Sequence, residues 1–348
     1  MSFSIPTLIR FALFGMCIAI QLPGYSQLSD AQISEYSDVY LLATGRRLPL
    51  LYTISLEASL QPQNQRSSNA IVSRNLVAER HLDGRLLGDP ANLVISEDGR
   101  TALVINHHGS IDNAEFSQHV DAARLRLSMS TLRLIRLIIS QPMRCYAIWI
   151  RATLALLARC CCLKCWCRAP GGFAATPDGR HIIVAHGGRQ DRAQAGNTIA
   201  IVDVELAVAG SPQSEVARVK VGTNDPAVQT HPLIPSVRPD GRELVVPNLR
   251  SDSVSIVDLE LALAGVTGTE SAEVARIPLQ HPNGGPVRPK GSSISADGRF
   301  AAISAGGGSQ PYSEETGLVF IIDLEIREVV ATVTGVGNDP YNLAFVYR

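Results

Sequence analysis

Aromatic residues, net charge and catalytic signatures are all scarce in this 348-residue chain. Only 5% of its residues are aromatic, which argues against a surface on which sugars or bases stack. Lysine and arginine number 31 against 32 aspartate and glutamate, so there is no overall nucleic-acid signal. No Gly-x-Ser-x-Gly nucleophile elbow occurs, and the pair Cys162 and Cys165 is followed by Trp166 rather than by the histidine of a haem attachment site. No Gly/Ser or Pro linker divides the chain, so we expect one domain.

A five-residue pattern ending in Asp-Gly-Arg occurs four times and defines a repeat. The copies begin at Ser96, Thr176, Arg238 and Ser295, and each lies between short apolar runs. Asp-Gly between such runs is a strong hairpin signal, because the glycine, and often the aspartate, can adopt the positive φ of a tight turn. Each copy therefore predicts two antiparallel strands.

Two further strands follow each hairpin. A third strand containing Ile-Val-Asp or a close variant is predicted over residues 199–206, 254–261 and 319–326. A fourth strand is predicted over residues 215–219, 273–277 and 329–333. Four antiparallel strands per unit, repeated at about 40 to 60 residues, are typical of a β-propeller blade. Asp203, Asp258 and Asp323 recur too regularly to be catalytic, and we expect them to make structural hydrogen bonds between blades.

The two ends of the chain indicate how a ring would close. Residues 39–43 and 50–57 match a second and a third strand, with no first strand before them. The C-terminal residues 337–345 copy residues 88–95, which enter a blade. We therefore expect the C-terminal strand to complete the N-terminal blade and so remove an exposed sheet edge. The sequence predicts an all-β fold, a β-propeller in which five four-stranded blades can be read, with six or seven left open.

The second strands of the hairpins carry a recognisable motif. Residues 103–106, 184–186 and 246–248 lie at a fixed offset from Asp-Gly, and the last two read Val-Ala-His and Val-Pro-Asn. With the Ile-Val-Asp strand and the entry loop that ends in Asp-Pro, they resemble the Tyr-Val-Thr-Asn repeat of bacterial YVTN-type β-propellers, a WD40/YVTN repeat-like family with repeats of about 40 residues. The resemblance covers most of residues 38–348, although the last repeat has Ala305 where asparagine is expected. It implies a propeller fold and a non-enzymatic role.

The N-terminal residues 1–26 have the pattern of a secretory signal peptide. Arg10 supplies a positive charge, residues 11–20 form an apolar core, and small residues precede the expected cleavage point after Ser26. The apolar run is shorter than the about 20 residues that span a membrane. We therefore predict export to the periplasm or the outside, a propeller over residues 27–348 and no stable transmembrane span after cleavage. An uncleaved anchor is the alternative.

Residues 122–170 interrupt the repeat with an atypical Arg/Leu/Cys-rich segment. It contains no Asp, Glu or Gly, eight Arg, one Lys and six of the seven cysteines. Thiolates could bind a soft metal, but the paired spacing of a zinc site is absent. A basic amphipathic helix over residues 125–157 would be broken by Pro142. We favour a replacement of the outer strands of the second blade, either by two compensating frame changes or by a degenerate insertion.

One end of the predicted ring collects polar side chains. There the loops that leave the second strands meet the loops that enter each blade, and histidines with neighbouring charges could bind a metal or an anionic ligand. The ligand-binding residues predicted on this end are His107, His108, His186, His231, Arg250 and Asp252. The competing interpretation is that such residues form turns, with His186 replacing the repeat asparagine. No catalytic residue is assigned, and the metal is unknown.

Three classes of function follow from these features. The resemblance favours an exported, non-enzymatic β-propeller that acts as a monomeric scaffold for a protein or small-molecule ligand and needs no cofactor. The alternative is a lactonase-like propeller hydrolase with a divalent metal or a His/carboxylate site, which requires His107, His108 or His186 to converge with an acid. A redox propeller with haem or quinone is disfavoured because the haem motif is missing.

Overall fold

The computed structural model is an all-β propeller built from antiparallel sheets, four of which have four strands each. It describes residues 28–46, 50–77, 79–80, 86–87, 90–96, 102–106, 170–188, 196–225, 227–265, 271–306 and 316–348. We number the blades in the order in which their second strands occur along the chain.

Blade 1 combines the two ends of the chain. Its strands are β1 (Val39–Arg46), β2 (Leu50–Ser55), β3 (Ile71–Leu76) and, from the C-terminus, β20 (Asp339–Tyr347). The order across the sheet is β20, β1, β2, β3, and β20 pairs antiparallel with β1 so that Leu41 lies opposite Phe345. The predicted closure of the N-terminal blade by the C-terminal strand is therefore confirmed.

The remaining sheets follow chain order. A short hairpin is formed by β4 (Glu79–Arg80) and β5 (Leu86–Leu87), and blade 2 is represented by β6 (Pro90–Ile95) and β7 (Ala102–Asn106). Blade 3 consists of β8 (Pro170–Ala175), β9 (His181–His186), β10 (Thr198–Asp203) and β11 (Glu215–Lys220). Blade 4 consists of β12 (Ser236–Val237), β13 (Glu243–Asn248), β14 (Ser253–Asp258) and β15 (Glu273–Pro278). Blade 5 consists of β16 (Ser292–Ile294), β17 (Phe300–Gly306), β18 (Gly317–Asp323) and β19 (Glu328–Thr334).

The hydrophobic core lies between neighbouring blades. The innermost strands adjoin one another in the order β6, β20, β16, β12, β8. Three apolar clusters fill the junctions of blades 5 and 1, 4 and 5, and 3 and 4, and their largest buried side chains include Phe300, Phe320 and Leu244, respectively. A single blade cannot bury both of its apolar faces, so stacking of the blades supplies the hydrophobic stabilisation.

The Asp-Gly hairpins within the described residues form as predicted, with one difference in the turn. Gly179, Gly241 and Gly298 have φ of 71°, 74° and 76°. The aspartate before each glycine keeps a negative φ and acts through its side chain instead, as where Asp178 Oδ1 accepts the N–H of Arg180 at 3.0 Å. Glycine supplies the left-handed conformation, and aspartate closes the turn.

The described part of the chain also contains four short helices and one 3₁₀ turn. They are α1 (Asp30–Ser34), α2 (Leu56–Leu60), the 3₁₀ turn Pro62–Asn64, α3 (Val204–Ala209) and α4 (Leu259–Ala264).

The prediction of long third strands was wrong in blades 3 and 4, because a helix follows immediately after the repeat aspartate. Asp203 Oδ1 accepts the N–H of Leu206 at 2.8 Å, and Asp258 caps α4 in the same way. In blade 5, Asp323 accepts from Arg299 Nε at 3.1 Å. Bonds between blades were expected from these aspartates, but each bond described here lies within its own blade.

Several predictions fall outside the described residues. These include the signal peptide over residues 1–26 and almost all of the atypical segment 122–170, whose last residue, Pro170, begins β8. Within the described ranges, no helix has the length and apolar character needed to cross a membrane.

Candidate binding site on the loop face

The loop face is the end of the propeller where the second strand of each blade stops and the entering loops begin. In blade 3, β9 ends there at His186, and in blade 4 the β13–β14 turn carries Arg250 and Asp252. The loop from β11 to β12, which enters blade 4, carries His231. These four predicted residues therefore lie on loops of the same end.

The backbone of His231 joins blade 3 to blade 4. Its N–H donates to the Gly196 carbonyl at 2.7 Å, and its own carbonyl accepts from Leu249 N–H at 3.1 Å. The residue has φ of 55°, a left-handed conformation that a side chain adopts only when surrounding contacts impose it. The position of the imidazole is thus set by two neighbouring blades.

The imidazole of His231 lies against the backbone of Gly187. A Cβ on Gly187 would come within 3.1 Å of the ring, so glycine provides the space. Burial lowers the pKa of His231, and the positive charge of Arg250 lowers it further, whereas a hydrogen bond to the Gly187 backbone raises it. The ring is therefore neutral near pH 7. Its Nδ1 is buried and has no hydrogen-bond partner among the described residues.

His186 and Arg250 border the same region. His186 is partly buried and directly precedes Gly187, and in the sheet it lies opposite Thr198 of β10. Arg250 is bound through its backbone N–H to the Thr230 carbonyl at 2.9 Å, next to His231. The structure thus brings His186, His231 and Arg250 to one junction between blades 3 and 4.

Asp252 has a different position, at the junction of blades 4 and 5. Its Oδ1 accepts the backbone N–H groups of Val287 and Arg288 at 3.1 and 2.9 Å. Its carbonyl accepts from Leu279 N–H at 2.8 Å. These three bonds hold the loop that enters blade 5, so the carboxylate serves the scaffold.

The metal prediction is not tested by the described residues. His107 and His108 lie outside them. Within the part of the chain that the structure describes, no group of three or more histidine, cysteine, aspartate or glutamate side chains comes close enough to hold a metal ion.

A buried polar network around the repeat asparagine was not predicted from the sequence. Asn248 is fully buried, and its Nδ2 donates to Ser255 Oγ at 2.8 Å. Its amide covers the Cα of Gly222, where a Cβ would come within 2.7 Å of Cγ. Ser255 and the Gly222 N–H both bond the carboxylate of Glu273. This network fixes the loop that leaves blade 3, which explains why a small amide suits the last position of the second strand.

A buried ion pair on the loop face was also missed. Lys290 Nζ lies 2.8 Å from Asp339 Oδ1, and the two residues are 5% and 4% exposed. Lys290 also donates to the carbonyls of Arg288 and Gly306. It therefore links blade 5 to the first residue of the closing strand β20. The sequence did contain a signal for this buried charge. Lys290 lies seven residues before the turn aspartate Asp297, and the corresponding position in the third Asp-Gly-Arg copy is the apolar Leu233.

Comparisons with known proteins give matches to solved structures. No protein-family model matches the chain, and no curated protein matches it. Among solved structures it is similar to the hydrazine synthase of Kuenenia stuttgartiensis, with a TM-score of 0.36 and 23% identity over 51% of this chain and 39% of that one. It is also similar to the Cps50 (Swd1) beta-propeller domain of Myceliophteria thermophila, with a TM-score of 0.32 and 13% identity over 51% of this chain and 46% of that one. The matched region is less than half of each of those two chains.

Proposed function

We propose that the protein is an exported, non-enzymatic β-propeller of the YVTN type that binds a protein or small-molecule ligand on its loop face. The observation that carries this proposal is the setting of His231. Its backbone is fixed by two blades, and the buried Nδ1 of its ring has no hydrogen-bond partner among the described residues. A rigid scaffold with polar side chains at one end is the architecture of a recognition platform.

The chemistry of this junction indicates what a ligand would offer. Because the pKa of His231 is lowered and its ring bonds the Gly187 backbone, Nδ1 is a hydrogen-bond acceptor. A ligand hydroxyl or amide N–H would satisfy it after a local opening of the loop. The adjacent Arg250 guanidinium favours a carboxylate or carbonyl beside that donor. A polar peptide or a small hydroxy acid has both groups.

The binding role is tested by comparing ligand capture by three immobilised proteins. These are the wild type, a His231→Gln/Arg250→Ala variant of the loop face, and Arg242→Ala, an exposed site on the opposite end. We expect the wild type and Arg242→Ala to retain the same species from a periplasmic extract and the loop-face variant to lose it, as measured by quantitative mass spectrometry. Equal retention by all three proteins would contradict a loop-face site.

The non-enzymatic role has a separate test. We expect no turnover of δ-valerolactone or p-nitrophenyl acetate above background with added Zn²⁺ or Ca²⁺. Turnover that depends on the metal and is lost in His186→Ala would instead support the lactonase-like alternative.

Export is tested by cell fractionation and N-terminal sequencing. We expect the mature protein in the periplasm or medium, beginning after Ser26. A cytoplasmic protein that retains Met1 would contradict export. Size-exclusion chromatography with light scattering tests the expected monomer.

A further inference from the structure

The turn face, opposite the loop face, carries the Asp-Gly turns and the helices that follow the third strands. At the junction of blades 5 and 1, the N-terminal segment of residues 28–38 covers this face. Ile33 and Tyr36 are buried there in one cluster with Leu60 of α2. The Tyr36 ring meets Phe300 edge to face, with centroids 5.0 Å apart. The Tyr36 hydroxyl donates to Asp297 Oδ2 at 3.0 Å.

The junction of blades 3 and 4 repeats this socket with the corresponding residues. In the repeat, Asp178 corresponds to Asp297, His181 to Phe300 and Leu263 to Leu60. α4 packs against the outer strand of blade 3, as α2 packs against that of blade 5. Here, however, a cleft of about 340 Å³ remains between the blades, and these three residues of blades 3 and 4 line it.

The open socket keeps two of the groups that contact the N-terminal segment in the filled one, the turn carboxylate and the helix leucine. Asp297 Oδ1 accepts the turn N–H of Arg299, which leaves Oδ2 for the tyrosine. Asp178 Oδ1 likewise accepts the N–H of Arg180, and no group among the described residues donates to its Oδ2. Leu263, which corresponds to the buried Leu60, is 40% exposed. An apolar wall and a free carboxylate oxygen are thus present without the side chains that complete them at the other junction.

The third described junction, between blades 4 and 5, is filled in another way. In blade 5 a turn of residues 324–327, instead of a helix, follows Asp323, and the guanidinium of Arg327 in this turn pairs with Glu243 at 3.0 Å. Among the three junctions between blades whose four strands are all described, only the socket of blades 3 and 4 therefore has no occupant from the described residues.

We propose that the cleft between blades 3 and 4 docks a helical turn of a partner protein that carries an aliphatic side chain and, three residues later, a tyrosine. The occupant is inferred from residues 28–38 of this chain, which place Ile33 and Tyr36 with this spacing in the equivalent socket. The aliphatic side chain packs on Leu263, and the tyrosine hydroxyl donates to Asp178. The site lies on the end opposite the loop face and does not depend on the ligand proposed there.

A synthetic peptide of residues 28–38 is the probe for this site. It contains the capping box of α1, in which Ser29 and Gln32 bond each other's backbone, so its helical turn is locally favoured. Because a peptide this short is only marginally helical, we expect a dissociation constant of about 0.1–1 mM. Broadening of the peptide tyrosine resonances on titration with the full-length protein measures such weak binding.

Variants of the protein locate the binding. We expect Leu263→Gln to weaken it at least tenfold, whereas Leu261→Gln, which changes a residue 37% exposed on the same helix but outside the cleft, leaves it unchanged. His181→Phe restores the aromatic partner that Tyr36 has in Phe300 and should tighten binding about two- to tenfold. A Tyr36→Phe peptide should bind about two- to tenfold more weakly, because one hydrogen bond is lost.

Three results would overturn the proposal. One is the absence of saturable broadening with both the wild type and His181→Phe. Another is equal binding by Leu263→Gln, which would locate the peptide elsewhere. The third is a concentration-dependent dimer that Leu263→Gln disperses, which would identify a second copy of this chain as the occupant. Arg250→Ala alters the loop face alone, so loss of ligand there and loss of peptide here are separate outcomes.

Discussion

Removing either partner of the Lys290–Asp339 pair should destabilise the protein strongly, and removing both should cost less than the sum of the two single losses. Lys290 Nζ lies 2.8 Å from Asp339 Oδ1 and bonds the carbonyls of Arg288 and Gly306, so the ammonium is bound by three oxygen atoms. Both side chains are almost fully buried. Asp339→Ala would leave a buried ammonium without its counter-charge, and Lys290→Met would leave a buried carboxylate.

The size of the effect follows from two opposing terms. At 2.8 Å the attraction is about 6 kcal/mol with an effective dielectric constant of about 20, and desolvation of two buried ions costs about as much. The intact pair therefore contributes little net stability relative to apolar side chains. Each single variant should lose about 3–5 kcal/mol of unfolding free energy, because one uncompensated charge stays buried. The double variant should lose less than the sum of the two by at least about 2 kcal/mol.

Urea unfolding followed by circular dichroism measures these differences, provided that the m-value is unchanged. Arg218→Met is the matched control, since the Arg218–Glu215 pair has a similar distance of 2.7 Å but side chains that are 30% and 43% exposed. We expect this variant to lose no more than about 1 kcal/mol. Additive losses from Lys290→Met and Asp339→Ala, or losses as small as that of the control, would refute the reasoning.

Three further predictions concern individual residues. Burial and Arg250 lower the pKa of His231 in the folded state, so stability should be full above the unfolded pKa of about 6.5 and should fall as the pH drops below it. His231→Gln should weaken the dependence of the urea midpoint on pH between about pH 7.5 and 5.5. Parallel pH profiles of the midpoint for the wild type and the variant would count against this. Tyr36→Phe should lose about 1 kcal/mol of unfolding free energy, and ultraviolet titration should show a Tyr36 pKa of about 12, raised by burial and by Asp297. Asp258→Ala should lose about 1 kcal/mol because α4 loses its N-cap, whereas an unchanged urea midpoint would assign no stability to the cap.

The repeat made most of the fold predictable. The Asp-Gly turns located the hairpins, and the C-terminal copy of the entry motif indicated that β20 would complete blade 1. The helices after the third strands were missed, because residues 203–206 alternate as a strand would. Only the hydrogen bond from Leu206 N–H to the Asp203 carboxylate distinguishes a capped helix from a continued strand.

The loop face was less predictable than the sheets. His186 could be located from its fixed offset to Asp178, but the position of His231 depends on backbone bonds to two blades and on the space above Gly187. The role of Asp252 in holding the entering loop of blade 5 has no local sequence signal. The partner of Lys290 is 49 residues away in sequence, so a charge just before an inner strand predicts a buried counter-charge without identifying which residue supplies it.

Hydrogen exchange of the intact protein is the most direct test that the C-terminal strand closes a rigid propeller. Peptide-level mass spectrometry compares the amides of β20 that bond to β1 with those of the fully buried strand β18. We expect β20 to exchange on the slow timescale of β18, because its hydrogen bonds open only when the sheet does. Exchange of β20 within seconds, while β18 stays protected, would show a free C-terminus and would contradict the closed blade on which the positions of the loop-face residues depend.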